Sequence, residues 1–158
     1  MKRVNGILHH PVFMEHLERL EELEKTRIFC RHGLTHLMDV ARLGWIAALE
    51  RQLELPRDVV YAAALLHDLG RVEQLEEGIP HHQASAALAA RILPEAGFSE
   101  EEAAQIQKAI LGHREDGGAE TLGQLLYWAD KASRACWMCG AKDACNWSDE
   151  KKNWDLFR

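Results

Sequence analysis

The 158-residue chain has no apolar run approaching the ~20 residues that a membrane span needs, so no membrane partner is expected. Its opening residues, Met1-Lys2-Arg3-Val4-Asn5-Gly6, lack the apolar core of a signal peptide, and the expected address is the cytoplasm. Basic residues are in deficit: 19 Lys and Arg stand against 25 Asp and Glu, a net charge of −6. That balance argues against a broad nucleic-acid footprint. It leaves room for a small phosphorylated ligand, because a local metal cluster can reverse the field inside one pocket. There is no period-2 stretch of useful length for a strand, no internal repeat and no low-complexity linker. Cysteine is scarce, with four residues, and a disulfide framework is not expected in a cytosolic protein.

What is present reads as helix nearly throughout, in one domain over residues 1–158. Hydrophobic content of 47% and charged content of 28% suit a soluble domain that buries its own core. Val12, Phe13, Leu17, Leu20 and Leu23 recur at helical spacing over Val12 to Lys25. Thr35 is a candidate N-cap for a second helix reaching about Glu54, with Leu37, Val40, Ala41, Leu43, Gly44, Ile46, Ala47 and Leu49 inward. Pro56 suits the first turn of a third, which Gly70 is expected to stop. A loop with Gly78 and Pro80 leads to a fourth helix from about His82 to Leu93. Ser99 and Glu102 have capping-box spacing for a fifth, ending near His113. A sixth is expected from about Glu120 to Trp137, followed by a loop-like tail after Cys139. The fold class is therefore an all-α, single-domain helical bundle.

Within that pattern the dipeptide His67-Asp68 is out of place. It ends the apolar run Val59-Val60-Tyr61-Ala62-Ala63-Ala64-Leu65-Leu66, where burying an imidazole or a carboxylate costs several kcal/mol unless it is paired or bound to a metal. Asp130 poses the same problem after Leu125-Leu126-Tyr127-Trp128-Ala129. With His36 they supply two nitrogen donors and two carboxylates, a suitable set for a divalent transition metal. His81 or His82, and His113, are the further candidates, each at or beside a helix end, where a bundle can bring side chains to one point.

In this order and context the residues resemble the metal-binding signature of the HD-domain phosphohydrolases. The matching stretches are His36-Leu37-Met38-Asp39-Val40-Ala41, Ala64-Leu65-Leu66-His67-Asp68-Leu69-Gly70-Arg71 and Tyr127-Trp128-Ala129-Asp130-Lys131, and the likeness covers about residues 30–135. The resemblance implies an HD-type bundle in which His36, His67, Asp68 and Asp130 bind a divalent ion, with Asp68 able to bridge to a second. His113, in Ile110-Leu111-Gly112-His113, fits one added ligand of the two-metal members. The other is His81 or His82, and His81 is favoured because Ser85-Ala86 then falls where the family has a small pair.

The implied reaction is attack of a metal-bound hydroxide on phosphorus in a small phosphorylated substrate, with a nucleotide expected. Asp68 and Arg71 are the candidate catalytic residues. In the family the position of Arg71 is often lysine, so the charge is kept while its type changes. Arg71 is also the first candidate for holding substrate phosphate, followed by Lys131 and Arg134. The metal is manganese, iron, zinc, cobalt or nickel, as one ion or two. The competing readings are a regulatory module that binds a nucleotide without hydrolysing it, and a di-iron, oxygenase-type HD protein. The substrate walls are expected from Gln74 to Pro80 and Arg114 to Gly118, where Asp116 reads best as a turn residue. Oligomeric state is not encoded in any pattern.

The cysteines raise a second site. Cys136 and Cys139 form a CxxC pair, Cys145 follows, and Cys30 stands alone upstream. Cys30 precedes His36 by six residues and Cys136 follows Asp130 by six. On antiparallel helices both would lie roughly 9 Å from the ion in one direction, so all four thiols could meet. A structural zinc or an iron–sulfur cluster would use them, and free thiols are the plain alternative. The family resemblance does not extend to this cluster. Trp137, Trp147 and Trp154 read as packing for the tail rather than a base-stacking platform.

Overall fold

Pro11 presets φ at the first position of a helix, and the His10 ring caps that helix by accepting from Val12 N at 3.2 Å. The resulting α2, Pro11–Leu23, buries Phe13, Leu17 and Leu20. The computed structural model describes residues 1–112 and 121–155 of the chain. Ahead of α2 lies a short α1, Lys2–Leu8, which the sequence pattern does not announce and which buries Val4 and Ile7.

The third helix, α3, spans Leu34–Glu50. Its N-cap is Gly33, not Thr35, because the preceding loop is pinned by His32 to Glu24 and reaches helical geometry earlier. It stops at Glu50 rather than near Glu54, and its buried stripe of Leu37, Val40, Ala41, Gly44, Ala47 and Ala48 keeps i, i+3, i+4 spacing, which leaves Ile46 and Leu49, expected inward, exposed. Gln52 takes φ 54°, and the amides of Gln52 and Leu53 close back onto Leu49 O (3.1 Å) and Ala48 O (2.9 Å), a Schellman end without the usual glycine.

The central helix is α4, Arg57–Leu66, N-capped by Pro56. Val59, Val60 and Ala62 through Leu66 are all buried, so it is apolar on nearly every face, as a helix enclosed by its neighbours must be. Its chief neighbour is α3, and Gly44 of α3 allows the close approach, since a Cβ there would meet Val60 Cγ1 at 3.3 Å. The helix ends at Leu66; His67 is its C-cap and residues 67–70 form a turn.

Gly70 does not stop α4. It caps a short fifth helix, α5 (Arg71–Glu76), with φ −73°, and its role is spatial. A Cβ at Gly70 would lie 2.3 Å from Ser85 N and 2.6 Å from His81 O, and its amide donates to Ser85 Oγ at 2.8 Å. That contact seats α6, His81–Glu95, against the turn carrying Asp68. Next, α7 (Glu100–Gly112) begins at the expected capping box, with Ser99 N donating to Glu102 Oε2 at 2.9 Å and Glu102 N to Ser99 Oγ at 3.2 Å.

The last helix, α8 (Leu122–Ala132), starts from a second capping box at Thr121 and packs on α3 and α7. It ends five residues before Trp137, because Ser133 Oγ–H caps Asp130 O at 2.8 Å and the chain turns to bury Arg134. Two 3₁₀ turns, Cys136–Met138 and Lys142–Ala144, carry the tail. Among the described residues there is no strand, and no helix is long and apolar enough to cross a membrane. The architecture is the all-α, single-domain bundle expected.

Candidate metal centre

Three different helices bring the quartet together. His36 sits in the first turn of α3, His67 and Asp68 follow the last residue of α4, and Asp130 lies in the last turn of α8. All four side chains are buried, and one ligand atom from each lies within 4.8 Å of the others. His36 Nε2 stands 3.3 Å from Asp130 Oδ1 and 3.6 Å from Asp68 Oδ2, while His67 Nε2 is 3.4 Å from Asp68 Oδ2 and 3.9 Å from Asp130 Oδ1. Donors about 2.1 Å from one ion are about 3 Å apart at right angles and about 3.5 Å apart in a tetrahedron. The spacing therefore suits ligands about a shared centre. Neither Asp68 oxygen accepts a hydrogen bond of normal geometry, although both are buried. The residues fit a divalent cation.

The outer sides of the imidazoles are equally ordered. His67 Nδ1 donates to Ala64 O at 2.7 Å, His81 Nδ1 to Gln74 Oε1 at 2.8 Å, and His32 Nδ1 to Glu24 Oε1 at 2.6 Å. His36 Nδ1 meets Ser133 Oγ at 3.2 Å, whose own hydrogen goes to Asp130 O. An acceptor outside requires the proton on Nδ1, which turns each Nε2 lone pair inward. Arg134 fits this tautomer, because a guanidinium only donates and its Nη2 lies 3.0 Å from His36 Nε2. Such outer partners are how metal-binding histidines are oriented.

Asp68 faces two ways. Its Oδ2 looks toward His36 and His67, while its Oδ1 lies 3.4 Å from His81 Nε2 and 2.9 Å from Arg71 Nε. His81 is buried and turned to Asp68; His82 is half-buried beside it, with the two rings edge to face. His113, Asp116 and the loop Arg114 to Gly118 lie outside the described residues. Sequence reasoning missed His32. It is buried, its Nε2 is 3.9 Å from Asp68 Oδ2, and Glu24 binds both its ring and its amide, the latter at 2.7 Å. The available signal was its place four residues before His36, obscured because α3 begins only at Leu34.

The electrostatics follow from burial and charge. Burial alone would push His67 down, but Asp68 and Asp130 outweigh it and lift the imidazole to about 9. Burial likewise opposes ionisation of Asp68, yet His67, Arg71 and His36 hold it well below the ordinary carboxylate range. For Asp130 burial is outweighed by His36 and His67. His32 goes the other way: burial pushes it down to about 4 despite its bond to Glu24.

A cavity of about 600 Å³ opens over this centre. Asp130, His32, Arg71, Lys131 and Arg134 line it, so the three cations expected to meet a substrate border one cavity. Arg134 is buried and also donates to Arg31 O at 3.1 Å and Asp130 Oδ1 at 3.2 Å; Lys131 Nζ reaches Asp130 Oδ2 at 2.5 Å. Cys30, Cys136, Cys139 and Cys145 line the same cavity, and none is in a disulfide. They arrive on loops and 3₁₀ turns rather than on extended helices. Of the tryptophans, Trp147 lines the cavity, while Trp137 and Trp154 lie largely at the surface.

The family model for the HD domain matches residues 33–135. An uncharacterised protein of Clostridium beijerinckii is 42% identical over 157 residues, 99% of either chain. The fold is similar to the crystal structure of a protein from an uncultured Thermotogales bacterium described as a predicted HD superfamily hydrolase. That likeness has a TM-score of 0.64 at 24% identity and covers 89% of this chain and 81% of the other.

Proposed function

This chain belongs to the HD-domain family, and on that premise we propose that it is a divalent-metal-dependent phosphohydrolase acting on a small phosphorylated compound, with a nucleotide as the expected substrate. The observation that carries the reading is the inward set of Nε2 atoms around two buried carboxylates, beneath a cavity walled by cations. His36, His67, Asp68 and Asp130 would hold the ion. Bound there, a divalent metal supplies an acidified water and a Lewis acid for a phosphoryl oxygen.

The chain's own groups do the rest. Ala64 O and Ser133 keep the His67 and His36 lone pairs on the ligand side. Arg71 and Lys131, partly exposed at the cavity wall, offer positive charge to phosphoryl oxygens, and Arg71 can do so as a fork. Arg134 is more enclosed and positions His36 and Asp130 while presenting its edge to the cavity. A volume of about 600 Å³ is in the range that holds a nucleotide-sized ligand. The split orientation of Asp68, with His81 on its Oδ1 side, supports room for a second ion and hence cleavage of a diester or anhydride.

The test compares wild type with the His67→Ala/Asp68→Ala double variant for metal content and for phosphate release from a nucleotide panel. The double variant is expected to lose its bound divalent metal and to fall to background hydrolysis. Full metal retention in that variant overturns the site. A metal-loaded wild type that binds nucleotides and hydrolyses none overturns the enzyme in favour of a binding module.

A further inference from the structure

The cysteines are left over from the hydrolytic reading. Their placement is specific: Cys30 comes from the loop between α2 and α3, and the other three flank the two 3₁₀ turns of the tail, Cys136 opening the first, Cys139 closing it and Cys145 closing the second. Segments over a hundred residues apart in the chain thus bring four reduced thiols to the lining of one cavity. Cys136 is buried and the others are half-buried.

Four thiols gathered this way resist ionising together. Burial pushes the Cys30 thiol up, and Cys139, Cys136 and Cys145 each push it the same way, against Arg134. The surroundings favour an anionic centre nonetheless, since Arg27, Lys131, Arg134, Lys142 and Lys152 line the same space. A thiolate-bound metal reconciles these observations, with each thiol giving up its proton on ligation.

The spacing selects the kind of metal centre. Thiolates on one zinc, each about 2.3 Å from it, lie about 3.8 Å apart. Among the described residues the group with ligand atoms all within 4.8 Å is the His/Asp quartet, and no trio of the cysteines joins it at that spacing. The thiols therefore stand wider apart than the ligands of a single ion, a span that several irons bridged by sulfide would fill.

We infer that Cys30, Cys136, Cys139 and Cys145 ligate an iron–sulfur cluster that staples the tail to the loop before α3 and forms one wall of the cavity over the His/Asp centre. This inference does not depend on the hydrolytic reading. The cluster would sit between two segments that already touch, since Arg134 Nη1 donates to Arg31 O at 3.1 Å. Its assembly draws on external iron and sulfide.

The test is anaerobic purification of the whole chain, followed by reconstitution with ferrous iron and sulfide and removal of excess. Acid-labile sulfide bound in stoichiometric amount, with broad visible absorption that bleaches on reduction, is expected. Sulfide decides the matter, because iron at the His/Asp centre would carry none. Cys145→Ser and Cys136→Ser are expected to lose the sulfide and the colour while keeping their helical circular dichroism and the His/Asp metal. A colourless wild type with one tightly held zinc on its thiols, or one that takes up no sulfide, overturns the inference. So does full sulfide retention by either serine variant.

Discussion

The His/Asp quartet hangs from α3, α4 and α8, whose inward residues, from Leu37 and Val40 to Leu66 and Ala129, are almost wholly removed from water. The cysteines beyond Ser133 face the same cavity from two single 3₁₀ turns, with Trp137, Met138 and Trp154 left at the surface. In the first region apolar packing sets the ligand positions before any ion arrives. In the second, few buried side chains exist to do so, and Asn153 carries the tie: its Nδ2 donates to Lys131 O at 2.7 Å and Arg134 O at 2.8 Å. A site on packed helices is preorganised, while a site on turns relies on hydrogen bonds and on what it binds.

The harshest way to break this contrast is Gly70→Ala. The added methyl would lie 2.3 Å from one backbone atom and 2.6 Å from another, so α6 must shift and carry His81 away from Asp68. A loss of about 3 kcal/mol or more is expected in denaturant unfolding, with weakened metal binding at the quartet. Ser85→Ala, which only removes the hydroxyl that accepts from Gly70 N, is expected to cost about 1–2 kcal/mol. If Gly70→Ala is as stable as wild type, packing does not set this centre.

The same contrast explains what was legible in advance. His67, Asp68 and Asp130 announced themselves because each interrupts an apolar helical run, and a polar group there needs a partner wherever the helix goes. The capping boxes at Ser99 and Thr121 are local chemistry, and the Ser99 box could be read directly. Thr35 misled because the start of α3 is decided by a nonlocal bond, Glu24 to His32, which no pattern within the helix records. His32 escaped for the same reason: its burial depends on Glu24 in the turn after α2. Gly70 looked like a helix stop and proved to be a contact with α6, a distinction that only the third dimension makes. The helix α1 is too short to display a period, and α8 ends early because Arg134 is drawn inward to His36 and Asp130.

A milder perturbation addresses the tail. Asn153→Ala removes the amide that donates to Lys131 O in the last turn of α8 and to Arg134 O just beyond it. The expected cost is about 1–3 kcal/mol, confined to residues beyond Ala132. Amide hydrogen exchange separates the regions: tail amides such as Trp137 N should lose protection while those of α3 and α4 do not. Equal loss in both would mean that the tail is part of the bundle's cooperative core, and the contrast would fail.

The smallest effect tests whether the bundle needs its surface charges at all. Arg3 on α1 reaches Asp58 of α4 at 2.7 Å and Glu102 of α7 at 2.5 Å, in a partly exposed setting. The bonds to Arg3 hold both carboxyls below their ordinary values of 3.8 and 4.5. A carboxyl whose folded pKa is depressed stabilises the fold above its unfolded value, and that contribution fades as the pH falls through the folded one. Arg3→Ala is therefore expected to cost about 0.5–1 kcal/mol at neutral pH, and the gap from wild type should close as the pH drops below about 4. Because the partners are partly solvated, added salt should shrink the gap as well. A difference that persists unchanged in acid would assign the loss to the Arg3 guanidinium over the Phe98 ring, its Cζ 4.3 Å from the centroid, and so to that ring contact rather than to the carboxylate pairs.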